Sequence, residues 1–315
     1  MTQHPTELAK AVHLKGPYQA GGGDLARVRR LGLAPGEPVA LRALAPLRGI
    51  TWSDDGLRIG AMVTLRELAG DEEVRRRYPA LHQAVRAIAN PQVRSFATVG
   101  GNVLQDVRCD YFGHPDAECL RKGGIGCPAR EGHHEHAAVF GTGPCTAPHP
   151  SSLATVFACY DAVAQVEGRG RLGIEDLLLP GVGAGGSSRP HALAPGEVLT
   201  SFHLPPPGRD ERGVYVRVSR RALADWPLVE VALRGAGTGS VVSLRVMAGA
   251  VAAGPYRLVA VEDHLVAGPA TPSALRAGAS LAAEGATPLP GDRYRLRQLE
   301  AAVLDALERC WPSAQ

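Results

Sequence analysis

Between Thr98 and Pro150 the chain offers little from which regular structure can be built. Large apolar side chains are few, no helical or alternating period runs through the stretch, and glycine, proline, histidine and cysteine dominate it. "RCDYFGHPDAECLRKGGIGC", Arg108 to Cys127, holds three cysteines, and Cys145 follows. A segment this long without elements of its own is uncommon inside a compact domain and is usually functional or disordered. Something must organise it, and that requirement constrains how the rest of the chain folds.

Cys109, Cys119, Cys127 and Cys145 are separated by nine, seven and seventeen residues. This matches neither the paired C-x2-C spacing of zinc ribbons nor the tight ferredoxin run. Four thiolates on an irregular glycine-rich loop can still ligate a [4Fe–4S] cluster, which needs four cysteines but no fixed spacing. Metal ligation would explain how such a loop stays folded, because binding free energy becomes folding free energy. On spacing alone iron–sulfur and zinc both stand, with four independent thiols as a third reading. His133, His134 and His136, in "GHHEH", read as a solvated polar turn. Cys159 and Cys310 fall in patterned helical segments and read as buried small hydrophobes.

The remainder reads as ordinary globular protein. Of 315 residues 45% are hydrophobic and 21% charged, enough for two or three domains with sizeable cores. A net charge of +3, with no basic run interleaved with aromatics, excludes nucleic acid as a partner. "MTQHPTELAKAV" lacks the apolar core of a signal peptide and no run reaches membrane-spanning length, so no membrane span and a cytoplasmic location are expected. There thiols stay reduced, which favours metal, catalysis or burial over disulfides.

A short helix is expected at Thr6–Val12 and another within "QAGGGDLARVRR" (19–30). "LRIGAMV", from Leu57, is a strand, and Thr64 with Glu67 three residues on is a capping box. Leu81, Ala84, Val85 and Ile88 share a helix face over 81–89, which Pro91 should stop. "SLATVFACYDAVAQVEG" (152–168) reads as helix then strand, and the Gly/Ser stretch 181–188 as a surface loop. "PPPG" (205–208) marks a domain boundary. Beyond it, Val214, Val216 and Val218 alternate on one strand and Val242, Leu244 and Val246 on another. Leu296, Leu299, Val303, Leu307 and Cys310 make the apolar stripe of a C-terminal helix.

Two glycine turns look built for an anion. "AGGGD" (20–24) can curl its N–H groups into a nest at the start of a helix, with Asp24 capping that helix or bracing the turn. "TVGGN" (98–102) is the second, with the Thr98 hydroxyl as a further donor. Neither is a Walker loop or a GxGxxG fingerprint, but two separate turns suit a dinucleotide's pyrophosphate.

Read in order, "YQAGGGDLARV", "LRIGAMVTLREL", "ANPQVRSFATVGGNVLQD", "LAPGEVLTSFHLP", "VSRRALADWPLVEVAL" and "YRLRQLEAAVLDAL" resemble successive blocks of the FAD-binding subunits of molybdenum hydroxylases. These are the xanthine dehydrogenase, carbon monoxide dehydrogenase and aldehyde oxidase relatives. The resemblance implies an α+β fold: a two-lobed PCMH-type FAD-binding domain over 1–204, then a small α+β CO-dehydrogenase-flavoprotein C-terminal domain over 210–315. The Cys-rich insertion, about 106–149, is similar to that of the medium (β) subunit of 4-hydroxybenzoyl-CoA reductase. That likeness implies a [4Fe–4S] cluster on Cys109, Cys119, Cys127 and Cys145.

Carried over residue by residue, the resemblance places FAD against Ala20, Gly21, Gly22, Gly23, Asp24 and Leu25. Thr98, Val99, Gly100, Gly101 and Asn102 would form a second wall, with Ala89 and Ser152 nearby. Gly23 stands where the family usually has Thr, Ser152 where Asp is common, and the N-terminal helix is shorter than usual; each lowers the expected FAD affinity. A molybdenum-cofactor large subunit and a [2Fe–2S] small subunit are the implied partners, and no catalytic side chain is implied. The rival expectations are a stand-alone flavin dehydrogenase and a zinc-binding structural or regulatory protein of the same fold without FAD.

Overall fold

Short β-branched runs and helices build a five-stranded and a four-stranded sheet, each with its own core, joined where one face of the second sheet meets the first core. The computed structural model describes residues 2–141, 143–179, 181–182, 188–221 and 224–312. α1 (Leu8–Ala11) precedes β1 (Tyr18–Gln19), α2 (Gly23–Arg30) follows, and β2 (Val39–Ala40) returns parallel to β1. β3 (Ile50–Ser53) and β4 (Gly56–Gly60) form an antiparallel hairpin with Trp52 opposite Leu57.

α3 (Leu65–Gly70) opens on the expected capping box. The Thr64 Oγ1 accepts the Glu67 N–H at 3.1 Å and the Glu67 carboxylate accepts the Thr64 N–H at 2.7 Å. α4 (Glu72–Arg77) and α5 (Pro79–Ala87) follow, and the apolar face of α5 is buried. Pro91 is not what stops α5. The helix ends at Ala87, Ala89 takes a left-handed φ of 50°, and Pro91 opens α6 (Pro91–Arg94) behind an Asn90 cap. At a helix's first position proline forfeits only a donor that has no helical partner.

"TVGGN" is likewise a helix, α7 (Val99–Val103), capped by Thr98. α8 (Asp110–Gly113) is a further single α-helical turn within the long irregular stretch. α9 (Ser152–Cys159) is buried along its whole length, and β5 (Val163–Glu167), β6 (Gly170–Gly173) and α10 (Ile174–Leu177) follow. β7 (Gly181–Val182) pairs with β8 (Ser188–Arg189), and the rest of the expected Gly/Ser loop lies outside the described residues. β9 (Val198–Leu204) completes a five-stranded antiparallel sheet of order β3-β4-β9-β5-β6. Six of its seven residues are buried, as its central place requires.

After the prolines, β10 (Arg212–Val218), β11 (Val229–Ala236), β12 (Ser243–Gly249) and β13 (Tyr256–Arg257) form a four-stranded antiparallel sheet. α11 (Val259–Leu265), α12 (Pro272–Ser280) and α13 (Tyr294–Cys310) cover one face. Val214, Val216, Leu244 and Val246 are buried as expected, but Val242 is 67% exposed because β12 starts one residue later. The α13 stripe packs onto the sheet, with Leu299, Val303, Leu307 and Cys310 fully buried and Leu296 partly so. The other face of this sheet joins the first core through Tyr215, Ala232 and Met247. No helix among the described residues is long and apolar enough to cross a membrane.

The irregular stretch is organised in two halves. Val139 and Phe140 belong to the C-terminal core, where both N–H groups reach the Val251 carbonyl and Phe140 stacks on Tyr256 with ring centroids 4.1 Å apart. Buried Arg295 donates to the Ala137 carbonyl, and Asp292 accepts the Ala137 N–H at 3.1 Å. The cysteine-bearing half instead leans on the end of α2, where Leu31 and Leu33 pack against its small cluster and Arg27 donates to the Val107 carbonyl at 3.2 Å.

Candidate functional site

A cleft of about 1300 Å³ opens between the first turn of α2, the start of α7 and the far end of the C-terminal sheet. It exceeds the ~300–1,000 Å³ of pockets for drug-sized ligands and suits an extended dinucleotide. Ala20, Gly21, Gly22, Gly23, Asp24 and Leu25 line it, as do Ala89, Thr98, Gly100, Gly101, Asn102 and Ser152. Val99 does not; it points the other way and is fully buried in the main core.

The two glycine elements differ in what they can offer. Gly22 caps α2 in a left-handed conformation (φ 84°), so the chain turns sharply into the helix. The N–H groups of Gly21 to Leu25 meet no protein acceptor among the described residues, leaving donors and the positive end of the helix dipole turned to the cleft. Gly21 packs so tightly that a Cβ there would stand 2.2 Å from the Phe96 carbonyl oxygen. At the second element the donors are spent. The N–H groups of Val99 and Gly100 bond the Val63 and Ala61 carbonyls, and Gly101 bonds Thr98 Oγ1. That element therefore supplies a close-packed wall and the Thr98 hydroxyl proton rather than a second nest. A Cβ on Gly100 would lie 2.9 Å from that of Ala61, which accounts for the glycine.

Asp24 braces the turn, one of its two expected roles. Its carboxylate accepts the Asp106 N–H at 2.8 Å and pairs with Arg108 at 2.7 Å and Arg27 at 3.3 Å. Arg108 in turn lies over the Trp226 ring, 4.4 Å from its centroid. Ala89 holds its left-handed backbone in the cleft wall, with its carbonyl accepting from Arg94 at 2.9 Å. Such strain costs about 1 kcal/mol or more and collects at ligand sites. Buried Ser152 adjoins the Tyr215 hydroxyl, which donates to fully buried Glu230 at 2.6 Å, and Thr155 donates to the same carboxylate at 2.9 Å. Burial, then the Glu230 charge, pushes the Tyr215 hydroxyl well above its ordinary range.

Phe96, Asp106, Arg108 and Trp226 are cleft residues that sequence reasoning did not single out. Phe96 and Trp226 sit within two of the blocks quoted for the family resemblance, and both stay nearly half exposed at the rim.

None of the four cysteines lines this cleft, although the stretch that carries them leaves its wall at Asp106 and Arg108. Cys109, Cys119 and Cys145 share a small cluster with Val107, Phe112 and Ala147. Cys127 Sγ meets the Thr146 hydroxyl at 3.4 Å, beside Cys145. The Cys119 carbonyl accepts from Lys122 and Gly124 and the Leu120 N–H reaches Gly126, folding 119–126 into a tight knuckle. Burial raises the Cys109 thiol, with Cys145 and Cys127 as like-charged neighbours adding to it. At Cys127 burial also pushes upward, but bonds from Thr146 and the Ala129 backbone and the Arg130 charge outweigh it and leave the thiol lowered. Among the described residues no three His, Cys, Asp or Glu side chains stand close enough together to hold a metal ion.

The "GHHEH" histidines divide. His133 is exposed, as expected of a polar turn, whereas His134 accepts the Gly291 N–H at 3.1 Å and His136 meets Arg220, so both are docked on the C-terminal lobe. Cys159 and Cys310 are fully buried, and burial pushes the Cys310 thiol up to about 12.

Comparison with known proteins agrees with this geometry. Residues 3–207 match the family described as the FAD binding domain in molybdopterin dehydrogenase. The aldehyde oxidoreductase FAD-binding subunit PaoB of Escherichia coli K12 is 38% identical over 224 residues, 68% of this chain and 67% of that protein. The carbon monoxide dehydrogenase medium chain of Hydrogenophaga pseudoflava is 32% identical over 118 residues, 35% of this chain and 39% of that one. Among solved structures, a Cu,Mo-CO dehydrogenase chain superposes with a TM-score of 0.75 at 22% identity, covering 98% of this chain and 96% of its own. A chain of quinoline 2-oxidoreductase from Pseudomonas putida 86 does so equally, at 21% identity with the same coverage. At such identities the superpositions speak for the fold, and the family match speaks for the domain. The chain belongs to the FAD-binding domain family of molybdopterin dehydrogenases.

Proposed function

We propose that this chain is the FAD-binding electron-transfer subunit of a molybdenum-cofactor-dependent oxidoreductase, working beside a large molybdenum-cofactor subunit and a small [2Fe–2S] subunit. The relatives named as an aldehyde oxidoreductase subunit and a medium chain support that setting. The carrying observation is Asp24: one carboxylate in the first turn of α2 grips both Asp106 and Arg108, where the cysteine stretch begins. That contact ties the cradle proposed for a dinucleotide to the start of the cysteine stretch.

Bound FAD would supply the redox chemistry, and the protein binding and electrostatics. The unpaired N–H groups at the start of α2 would receive the pyrophosphate, and Thr98 would give its hydroxyl proton from the opposite wall. Arg27 and Arg108 offset the charge of Asp24, so a phosphate entering the turn does not face a bare carboxylate. No side-chain acid, base or nucleophile is assigned, since electron relay requires none.

Cys109, Cys119, Cys127 and Cys145 would hold a [4Fe–4S] cluster. The preference for iron–sulfur over zinc rests on the likeness of the inserted segment, and what the structure adds is a buried cation, Arg121, whose Nε donates to Cys145 Sγ at 3.3 Å, as suits an anionic thiolate centre. The 4-hydroxybenzoyl-CoA reductase β subunit remains the likeness for this insertion.

The test is an anaerobic visible spectrum with flavin, iron and sulfide quantified on one sample. About one FAD, four iron and four sulfide per chain are expected, and Cys119→Ser should lose the iron and open 109–130 to protease. Stoichiometric zinc in a colourless protein would overturn the redox reading, and turnover of a small substrate by the isolated chain would overturn the subunit reading.

A further inference from the structure

We propose that Glu230 is a positioning residue for the flavin nucleotide: through Tyr215 and Ser152 it makes one wall of the cleft an acceptor for a ligand hydroxyl. The proposal rests on the FAD reading above. Glu230, in β11, is fully buried. Its partners are two hydroxyls and no cation among the described residues: Tyr215 Oη donates to one oxygen at 2.6 Å and Thr155 Oγ1 to the other at 2.9 Å. The sheet is shaped around it. Gly249 stands opposite Glu230 in the β11–β12 register, and a Cβ on Gly249 would lie 2.3 Å from the carboxylate and 2.1 Å from Thr155 Oγ1. Three strands and α9 thus converge on one carboxylate.

Burying a carboxylate without a cation costs more than burying an apolar side chain of like size. Its contribution therefore lies in what it orients. A carboxylate has no proton to give, so the single Tyr215 proton goes to Glu230. The phenol oxygen is left as an acceptor, and the Ser152 hydroxyl bonds to it from the other side. Ser152 also has one proton; spent on Tyr215, it leaves only the lone pairs of Oγ to present. Protonation of Glu230 on its Thr155 side keeps the same order, because Thr155 can turn its own proton to the Ser151 carbonyl at 3.4 Å.

Ser152 lines the cleft, so the cleft carries two unlike polar groups. The start of α2 offers N–H donors, which suit phosphate oxygens. Ser152 offers an acceptor, which suits a hydroxyl of a ribityl or ribose chain and not a phosphate oxygen. A flavin dinucleotide carries both groups and can satisfy both in one register. Glu230 acts through two hydroxyls and touches no ligand itself.

The test is fluorescence titration of the full chain with FAD, with urea unfolding of each variant beside it. Ser152→Ala should weaken FAD binding about tenfold, the scale of one lost hydrogen bond. Glu230→Met, which frees the Tyr215 proton to turn toward Ser152, should weaken it at least as much. Glu230→Gln, whose amide oxygen still accepts from Tyr215, should restore most of the affinity. In the Ser152→Ala background Glu230→Met should lose nothing further, since effects that run through one atom do not add. Tyr215→Phe, alone and with Ser152→Ala, should repeat the Glu230→Met pattern, which keeps the proposal testable if Glu230→Met fails to fold. Unchanged affinity in Ser152→Ala, losses that add in the double variants, or Glu230→Gln as weak as Glu230→Met would overturn the role of Glu230. A wild-type chain that binds no FAD would instead overturn the reading beneath it.

Discussion

Gly21 and Gly23 are two residues apart and opposite in consequence. A Cβ on Gly21 would meet the Phe96 carbonyl at 2.2 Å, and that backbone cannot yield without moving the cleft wall. A Cβ on Gly23 would meet the Phe96 ring at 3.5 Å, an ordinary contact, at the first position of α2. Gly21→Ala is therefore expected to weaken FAD binding at least tenfold, about 1.4 kcal/mol. Gly23→Ala should leave it unchanged and stabilise the helix by up to about 1 kcal/mol. Flavin fluorescence titration of the two variants decides it, and equal losses would contradict the asymmetry. The triple glycine was legible in the sequence as a turn, yet which glycine is indispensable depends on Phe96, more than seventy residues away.

Among the elements, those announced by periodicity fell close to where expected, with Val242 left just outside β12, whereas the reading of Pro91 as a stop did not hold. The α13 stripe repeats over four turns, so misplacing one residue leaves the face intact. Leu299→Ala should cost about 2–5 kcal/mol, because the side chain is fully buried against the C-terminal sheet. Urea unfolding would show it, and a loss below about 1 kcal/mol would mean that the stripe is not seated as described. The proline at 91, by contrast, was read as a stop although it starts a helix. A proline has both meanings, and its neighbours choose between them: Asn90 caps α6, while Ala89 is turned left-handed by the packing of the cleft wall. "TVGGN" was read as a nest for the same reason. Two glycines permit a nest, but the Ala61 and Val63 carbonyls arrive first.

At the scale of the molecule, His149 sits where the irregular stretch meets both lobes. Its backbone N–H reaches the Ala252 carbonyl at 2.9 Å, its side chain is buried, and its Nε2 finds no well-formed hydrogen bond among the described residues. Burial, with the Arg121 charge next, pushes the imidazole down to about 3. The unfolded chain takes up a proton near pH 6.5 and the folded chain does not until about 3, so stability is lost as pH falls through that window. The slope from this one group approaches about 1.4 kcal/mol per pH unit. His149→Asn should flatten the profile by that amount between those values in urea unfolding. Identical pH profiles would show that the imidazole charges freely in the fold. By itself the sequence determined the helices with caps and stripes, most of the alternating strands and the order of the family's blocks, and it named the residue types from which an anion or metal site was expected. These follow from local geometry, which neighbours a few residues apart suffice to express. Only the tertiary structure decided which glycine turn keeps its donors free, that Val99 belongs to the core, that half of the irregular stretch is held by the C-terminal lobe, and that Arg121 faces Cys145. Each of those depends on a partner distant along the chain, and no local pattern encodes who arrives to claim a hydrogen bond or a charge.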